Sequence, residues 1–322
     1  MLIKMPGSDK YINYQLRPAK SVERKMICSL IRQIQLSGGL TDFRYIGMGA
    51  KYFVDFMLIH HQFGTRNMIS IEAQKELKQR YDFNKPLGFI EMKYGTSTEI
   101  LPQIEKWEEQ NNLIWLDYDG AFTEAVLDDI ETVSRNCKEG DMLILTVNAS
   151  CKGTNKTDKH EEFQKAVGKY YDPSIPIEKY TNNGIASIEI DLIKKQLDKV
   201  LTKRNNYYDI NLESLQLLNI IYKDSSPMLT FGTVFVDEEL RNKIDYSSLK
   251  SIFPFVSNSD EPYKLEVPSL TNKEIQLLLK NFPFDYEGYT VDDYYGIELE
   301  EIQEFEKIYR YYPYYSEGGY IN

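Results

Sequence analysis

Residues 44–72 bring together the residue types that hold a nucleotide. Arg44-Tyr-Ile-Gly-Met-Gly-Ala-Lys51 is a short apolar run ending in two glycines one residue apart, Gly47 and Gly49. Phe53 to Phe63 follows at helical spacing, and Gly64 closes that helix. A second apolar run, Met68-Ile-Ser-Ile71, ends on Glu72. Glycines let the backbone approach a ligand closely, and a carboxylate at a strand tip can accept two ribose hydroxyls. A dinucleotide site would require G-x-G-x-x-G, with its pyrophosphate on the helix N-terminus. The third position here is Tyr52, whose side chain would crowd a diphosphate, so the spacing argues against NAD or FAD. The plainer alternative is that the two glycines make only a tight strand-to-helix turn.

Three more strand tips carry polar residues. Phe89–Tyr94 reads as a third strand, and Gly95-Thr-Ser-Thr98 after it can cap a helix or present hydroxyls to a base edge. Leu113-Ile-Trp-Leu116 is fully apolar and ends in Asp117-Tyr118-Asp119-Gly120. Gly140–Val147 is a fifth strand ending at Asn148, and a helix with Val126, Leu127, Ile130 and Val133 on one side precedes it. Strands alternating with helices in this way imply a parallel sheet with crossover helices.

The flanking segments are read from spacing and punctuation. Residues 1–39 form an N-terminal helical segment, extended from Tyr11, helical from Pro18 through Ile34 and stopped at Gly38-Gly39. Arg17, Lys20, Arg24 and Lys25 cluster at the start of that helix, where the macrodipole disfavours cations. They are either solvated or turned toward the acidic tail, an anionic substrate or a nucleic acid. Residues 151–183, polar and holding Pro173 and Pro176, read as a mobile loop or lid. A helix over 186–204 follows, then a β-hairpin, 215–222 and 228–236, around the turn Asp224–Pro227. Residues 237–322 look like a separate C-terminal module. They contain a capping box at Thr271–Glu274, a second helix over 298–311 and parts similar to those of small winged-helix modules.

Composition limits the function classes. At 322 residues with 42% hydrophobic and 27% charged residues, the chain suits one large domain plus a smaller one. It has neither an apolar run of bilayer-spanning length nor the apolar stretch of a signal peptide at its start. Cys28, Cys137 and Cys151 have no C-x-x-C spacing, and only three histidines occur, so a cytoplasmic, reducing compartment is expected and a zinc site is not. The net charge of −11 is uneven: residues 1–100 hold 15 bases and 9 acids, whereas residues 281–322 hold ten acids, two bases and ten tyrosines. An acidic, tyrosine-rich tail of this kind could engage a basic protein partner.

Over residues 40–236 the chain resembles the class I S-adenosylmethionine-dependent methyltransferases. The residues that carry the resemblance are Ile46-Gly-Met-Gly49, Glu72, Gly95-Thr-Ser97, Leu116-Asp-Tyr-Asp-Gly120 and the hairpin. The resemblance implies a Rossmann-like, seven-stranded α/β sheet, five parallel strands plus an antiparallel hairpin, with a small C-terminal α+β appendage. It implies S-adenosylmethionine as cofactor, with Gly47 and Gly49 facing its methionine part, Glu72 its ribose, and Thr96 or Ser97 its adenine. Asp117, Tyr118 and Asp119 would face the methyl group and the acceptor. One departure is that Tyr45 stands where the family has an acid two residues before the first glycine, and Lys51 where a third glycine is common. Asp55 is a candidate substitute for the acid.

The acceptor stays open. Asp117 and Asp119, with Asn148 as a third ligand, are similar to small-molecule O-methyltransferases that hold a divalent cation such as Mg2+. Alternatively the two acids are a helix cap and a turn residue. Leu116–Gly120 also resembles the Asp-Pro-Tyr-Gly segment of tRNA guanine N-methyltransferases, with Tyr118 as the stacking ring. An oxygen nucleophile needs a proton acceptor, for which Asp119 is the first candidate, whereas an amine needs mainly alignment. Two other readings remain: a non-catalytic interaction protein that keeps the fold, and a nucleic-acid methyltransferase using the N-terminal cations on phosphates.

Overall fold

Apolar runs that do not alternate form strands buried on both faces, as parallel strands require. The structure, a computed structural model, describes residues 17–313 apart from the side chain of Asp119. The expected extended stretch from Tyr11 and the end of the tyrosine-rich tail lie outside the described residues. The strands are β1 (Arg44–Gly47), β2 (Met68–Glu72), β3 (Ile90–Tyr94), β4 (Asn112–Ala121), β5 (Met142–Asn148), β6 (Glu213–Lys223), β7 (Pro227–Val236) and β8 (Tyr263–Leu265). They form one sheet in the order β3-β2-β1-β4-β5-β7-β6-β8. β1 to β5 are parallel, and β7 is inserted antiparallel between β5 and β6. The strand order reverses between β1 and β4, which opens a crevice at the carboxyl ends of the strands.

Helices cover both faces. In chain order they are α1 (Pro18–Leu36), α2 (Val54–Phe63), α3 (Lys78–Asn84), α4 (Ser97–Ile100), α5 (Glu124–Asn136), α6 (Lys156–Val167) and α7 (Ile185–Tyr208). The C-terminal part adds α8 (Glu238–Lys243), α9 (Tyr246–Ile252), α10 (Asn272–Lys280) and α11 (Leu299–Ile308). The two-residue period of the strands divides the core. Tyr45, Leu113, Trp115 and Ile144 pack with α1, α2 and the C-terminal helices. Ile46, Ile114, Leu116 and Leu145 pack with α5, α6 and α7. Among the described residues, no helix is long and apolar enough to cross a membrane.

Three expectations change. The sheet has eight strands, because Tyr263–Leu265 pairs in parallel with β6. Residues 237–313 are therefore not set apart: Phe305, Ile302 and Leu278 share one apolar cluster with Ile27 and Ile31 of α1. The 151–183 segment is not a continuous loop. It contains α6, capped by Asn155 accepting from the Asp158 amide, with Phe163 and Val167 buried.

α1 begins at Pro18, and its N-cap, Arg17, makes no side-chain cap. Asp224, from the β6–β7 turn, serves instead, accepting from the Ala19 and Lys20 amides at 3.0 and 3.2 Å and from Arg17 Nε at 3.2 Å. A carboxylate there satisfies orphan amides and offsets the macrodipole that the cations oppose.

Glu189 on α7 is 1% exposed, and its Oε2 has no hydrogen-bond partner among the described residues. Burial pushes its carboxyl well above the ordinary range. Below the unfolded-state value, both states hold the proton and no penalty arises. Above it only the unfolded chain releases the proton, so stability falls as pH rises, by about 1.4 kcal/mol per unit. Urea denaturation should find Glu189→Gln more stable than wild type at about pH 8, the two converging near pH 4. Equal stability at the higher pH would rule out a buried neutral acid.

Candidate active site

The crevice at the carboxyl ends of β1, β2 and β4 holds a cleft of about 340 Å3, within the size range of small-molecule sites. Gly49, Glu72, Thr96, Ser97, Asp117 and Tyr118 all line it. Six of the residues singled out in the sequence thus meet at one place. Gly47 is not among the lining residues. A side chain there would meet the Tyr45 hydroxyl at 2.6 Å, so its small size serves packing. At Gly49 a side chain would meet the Phe53 ring at 2.5 Å and Ser70 Oγ at 2.9 Å. The left-handed residues of the turn are Ala50 (φ 47°) and Phe53 (φ 49°), not the glycines.

Glu72 organises this turn. Its Oε1 accepts from the Gly49 amide at 2.9 Å, the Ala50 amide at 3.0 Å and Ser70 Oγ at 2.8 Å. Three donors on one carboxylate oxygen fix both the strained turn and the carboxylate at the rim of the cleft.

Thr96 and Ser97 differ in use. Thr96 Oγ1 accepts from the Glu99 amide at 3.3 Å and Glu99 Oε2 accepts from the Thr96 amide at 3.0 Å, a capping box for α4. Ser97 belongs to a buried polar group with Tyr118 and Asp129. The Tyr118 hydroxyl donates to Asp129 Oδ2 at 2.7 Å. Burial raises the Asp129 carboxyl above its ordinary range, and the hydroxyls of Ser97, Tyr118 and Thr98 pull it back. Tyr118 is thus turned toward α5 rather than held as a free stacking ring. The one sign of Asp129 in the sequence is that it interrupts the apolar stripe Val126, Leu127, Ile130, Val133.

α1 forms the opposite wall. Arg24 and Asp55 both line the cleft and pair with each other, both buried. Lys20, also buried, stands 2.9 Å from Glu23 and 3.2 Å from Asp117. Burial opposes the charge of Lys20, yet Asp117 and Glu23 together hold its pKa well above the ordinary lysine value. Burial raises Glu23 from its ordinary value, against the pull of Lys20. The four cations at the start of α1 do not form a solvated cluster: Arg17 pairs with Asp224, and Lys25 donates to the Tyr311 carbonyl at 3.0 Å. The position of Lys20, Glu23 and Arg24 on the face shared with Ile27 and Ile31 was the signal that these charges point inward.

Tyr45, in place of the expected acid, is buried edge-on to Phe56 with ring centroids 4.8 Å apart. Lys51 lies over the Tyr52 ring at 5.0 Å. The side chain of Asp119 lies outside the described residues. The two described members of the proposed cation site are already engaged: Asp117 Oδ2 faces an ammonium, and Asn148 Oδ1 takes the Ser150 hydroxyl at 2.5 Å. Among the described residues, no group of three or more His, Cys, Asp or Glu side chains is placed to hold a metal ion.

A parallel sheet ordered β3-β2-β1-β4-β5, closed by an antiparallel pair, with an acid beside a glycine turn, defines a Rossmann-like fold of the methyltransferase type. A family model described as "Putative O-methyltransferase" matches residues 12–319, and the chain belongs to that family. No curated protein matches the chain in sequence. Among solved structures, it is similar to an O-methyltransferase from Bacillus cereus in complex with SAH, at 14% identity over 70% of this chain and 94% of that one, with a TM-score of 0.35. It is similar also to spermidine synthase from Thermotoga maritima, at 12% identity over 74% of this chain and 67% of that one, with a TM-score of 0.37.

Proposed function

We propose that the cleft binds S-adenosylmethionine and that the protein directs its methyl group to an oxygen atom of the acceptor. The observation that carries this reading is the convergence of Glu72, Ser97 and Asp117 on one cleft. They stand at the tip of β2, in the β3–α4 turn, and where the regular pairing of β4 with β5 ends at Asp117. Glu72, fixed by the turn it organises, would accept the ribose hydroxyls, and Ser97 with Thr98 would meet the adenine edge. Arg24 and Asp55 present a cation and an anion together, which suits the carboxylate and ammonium of an amino-acid moiety. Asp55 then takes over the part of the acid that Tyr45 displaces.

The cofactor supplies an electrophilic methyl group on a sulfonium. The chain's own contribution is alignment, exclusion of water and a carboxylate on β4 for the acceptor's proton. The sequence offered Asp119 for that role, and Asp117 stands beside it, tied through Oδ2 to Lys20. The unpaired thiols Cys28, Cys137 and Cys151 favour a reducing, cytoplasmic setting.

A thermal-shift comparison tests the reading. S-adenosylmethionine and S-adenosylhomocysteine should each raise the melting temperature, and NAD should not. At a hundredfold excess over Kd the stabilisation is about 2.7 kcal/mol. An unchanged midpoint with all three would reject the cleft as a cofactor site.

A further inference from the structure

Lys20 is the only lysine fully withdrawn from solvent among the described residues. Its Nζ is held by Glu23 at 2.9 Å, Asp117 at 3.2 Å and Thr146 Oγ1 at 3.4 Å. The rings of Trp115 and Tyr222 flank it at 5.3 and 5.8 Å. Thr146 in turn meets Thr230 at 3.0 Å, and Thr230 donates to Glu23, so the ammonium sits in a closed polar nest spanning α1, β4, β5 and β7. As mere structural glue this is a costly choice, because hydrophobic residues of similar volume are often as stabilising as a buried ion pair.

Asp117 is the route by which this charge reaches the cleft. Its side chain is 14% exposed and lines the cleft, and Oδ1 forms no hydrogen bond within the protein among the described residues. Among the residues lining the cleft, Asp55, Glu72 and Asp117 outnumber Arg24.

We propose that Lys20 is a positioning residue for methyl transfer, a buried counter-ion that fixes Asp117 on β4 and moderates the negative potential facing the sulfonium. This rests on the cleft being the S-adenosylmethionine site. A sulfonium feels the charge of Lys20, whereas the neutral thioether of S-adenosylhomocysteine scarcely does. Removing the lysine charge therefore favours the sulfonium relative to the thioether, and removing the aspartate charge does the opposite. A purely structural residue would weaken both ligands alike.

Calorimetric titration of both ligands at about pH 8, where free carboxylates are ionised, reads this directly. In Lys20→Met, Kd for S-adenosylhomocysteine divided by Kd for S-adenosylmethionine should rise about three- to fivefold, the scale of one partly screened charge. In Asp117→Asn the ratio should fall by a similar factor, and in Lys20→Arg it should stay within about twofold. If Lys20→Met does not fold, Lys20→Gln takes its place with the same expected rise. A ratio that stays put in the uncharged variant, or falls as in Asp117→Asn, overturns the role of Lys20 and leaves the cofactor assignment standing. Tightening of either ligand by manganese in wild type but not in Asp117→Asn would give the place of the ammonium to a metal, which also overturns it. Wild type that binds neither ligand removes the cofactor assignment itself.

Discussion

Glu72→Ala loses S-adenosylhomocysteine affinity by about a hundredfold or more, because the residue does two tasks at once. Its Oε1 gathers the Gly49 and Ala50 amides and the Ser70 hydroxyl, and its carboxylate is the proposed ribose ligand. Hydrogen bonds to a charged group contribute about 1.5–3 kcal/mol each, so losing even two passes the hundredfold mark. The left-handed Ala50 also loses what holds it, and the turn relaxes out of the cleft. Glu72→Gln separates the tasks. Its amide oxygen can still accept from the turn, so the melting temperature stays close to wild type, but a carboxamide cannot take two hydroxyls as a carboxylate does. Calorimetric titration together with thermal denaturation distinguishes the two. Wild-type affinity in the alanine variant would refute the assignment.

Arg24→Met is the more damaging change for the fold. Arg24 and Asp55 are both buried, and the guanidinium stays charged because Asp55 and Asp117 outweigh its burial. Removing one partner of such a pair leaves an uncompensated charge inside, at a cost of about 3–5 kcal/mol. Adding Asp55→Asn should return most of that loss, since the orphaned charge then disappears. Chemical denaturation of the two single variants, the double variant and wild type closes the cycle. A loss below about 1 kcal/mol in Arg24→Met would mean that Asp55 finds water or another cation.

The sheet was legible because its strands contain unbroken apolar runs bounded by glycine, proline or acids, as at Met68–Glu72, although β4 runs on past Asp117 to Ala121. The cleft followed from those boundaries, since side chains at the tips of neighbouring parallel strands must come together. The features that local spacing does not encode depend on partners distant in the chain. Spacing alone puts Lys20 and Arg24 on the inward face of α1, but the carboxylates they meet, Asp117 and Asp55, lie on other elements. α6 was hidden because only Phe163 and Val167 of its twelve residues are buried, too few for a visible stripe. β8 is three residues long, shorter than any alternation can reveal. Asp129 breaks an apolar stripe, the kind of mismatch that does mark a buried polar group in a sequence.

The capping of α1 by a turn at the far end of the sheet has a consequence for biosynthesis. Arg17 and Asp224, like Glu23 and Thr230, are 207 residues apart. At ribosomal speeds of about 5–20 residues per second, the first helix waits roughly 10–40 s for the carboxylate that caps it. During that interval its first amides and Arg17 lack Asp224, and the polar nest around Glu23 is open on the side of Thr230. The donor pocket is thus among the last features completed on the nascent chain, and a polypeptide released before the hairpin is made would carry the glycine turn and Glu72 without a finished site.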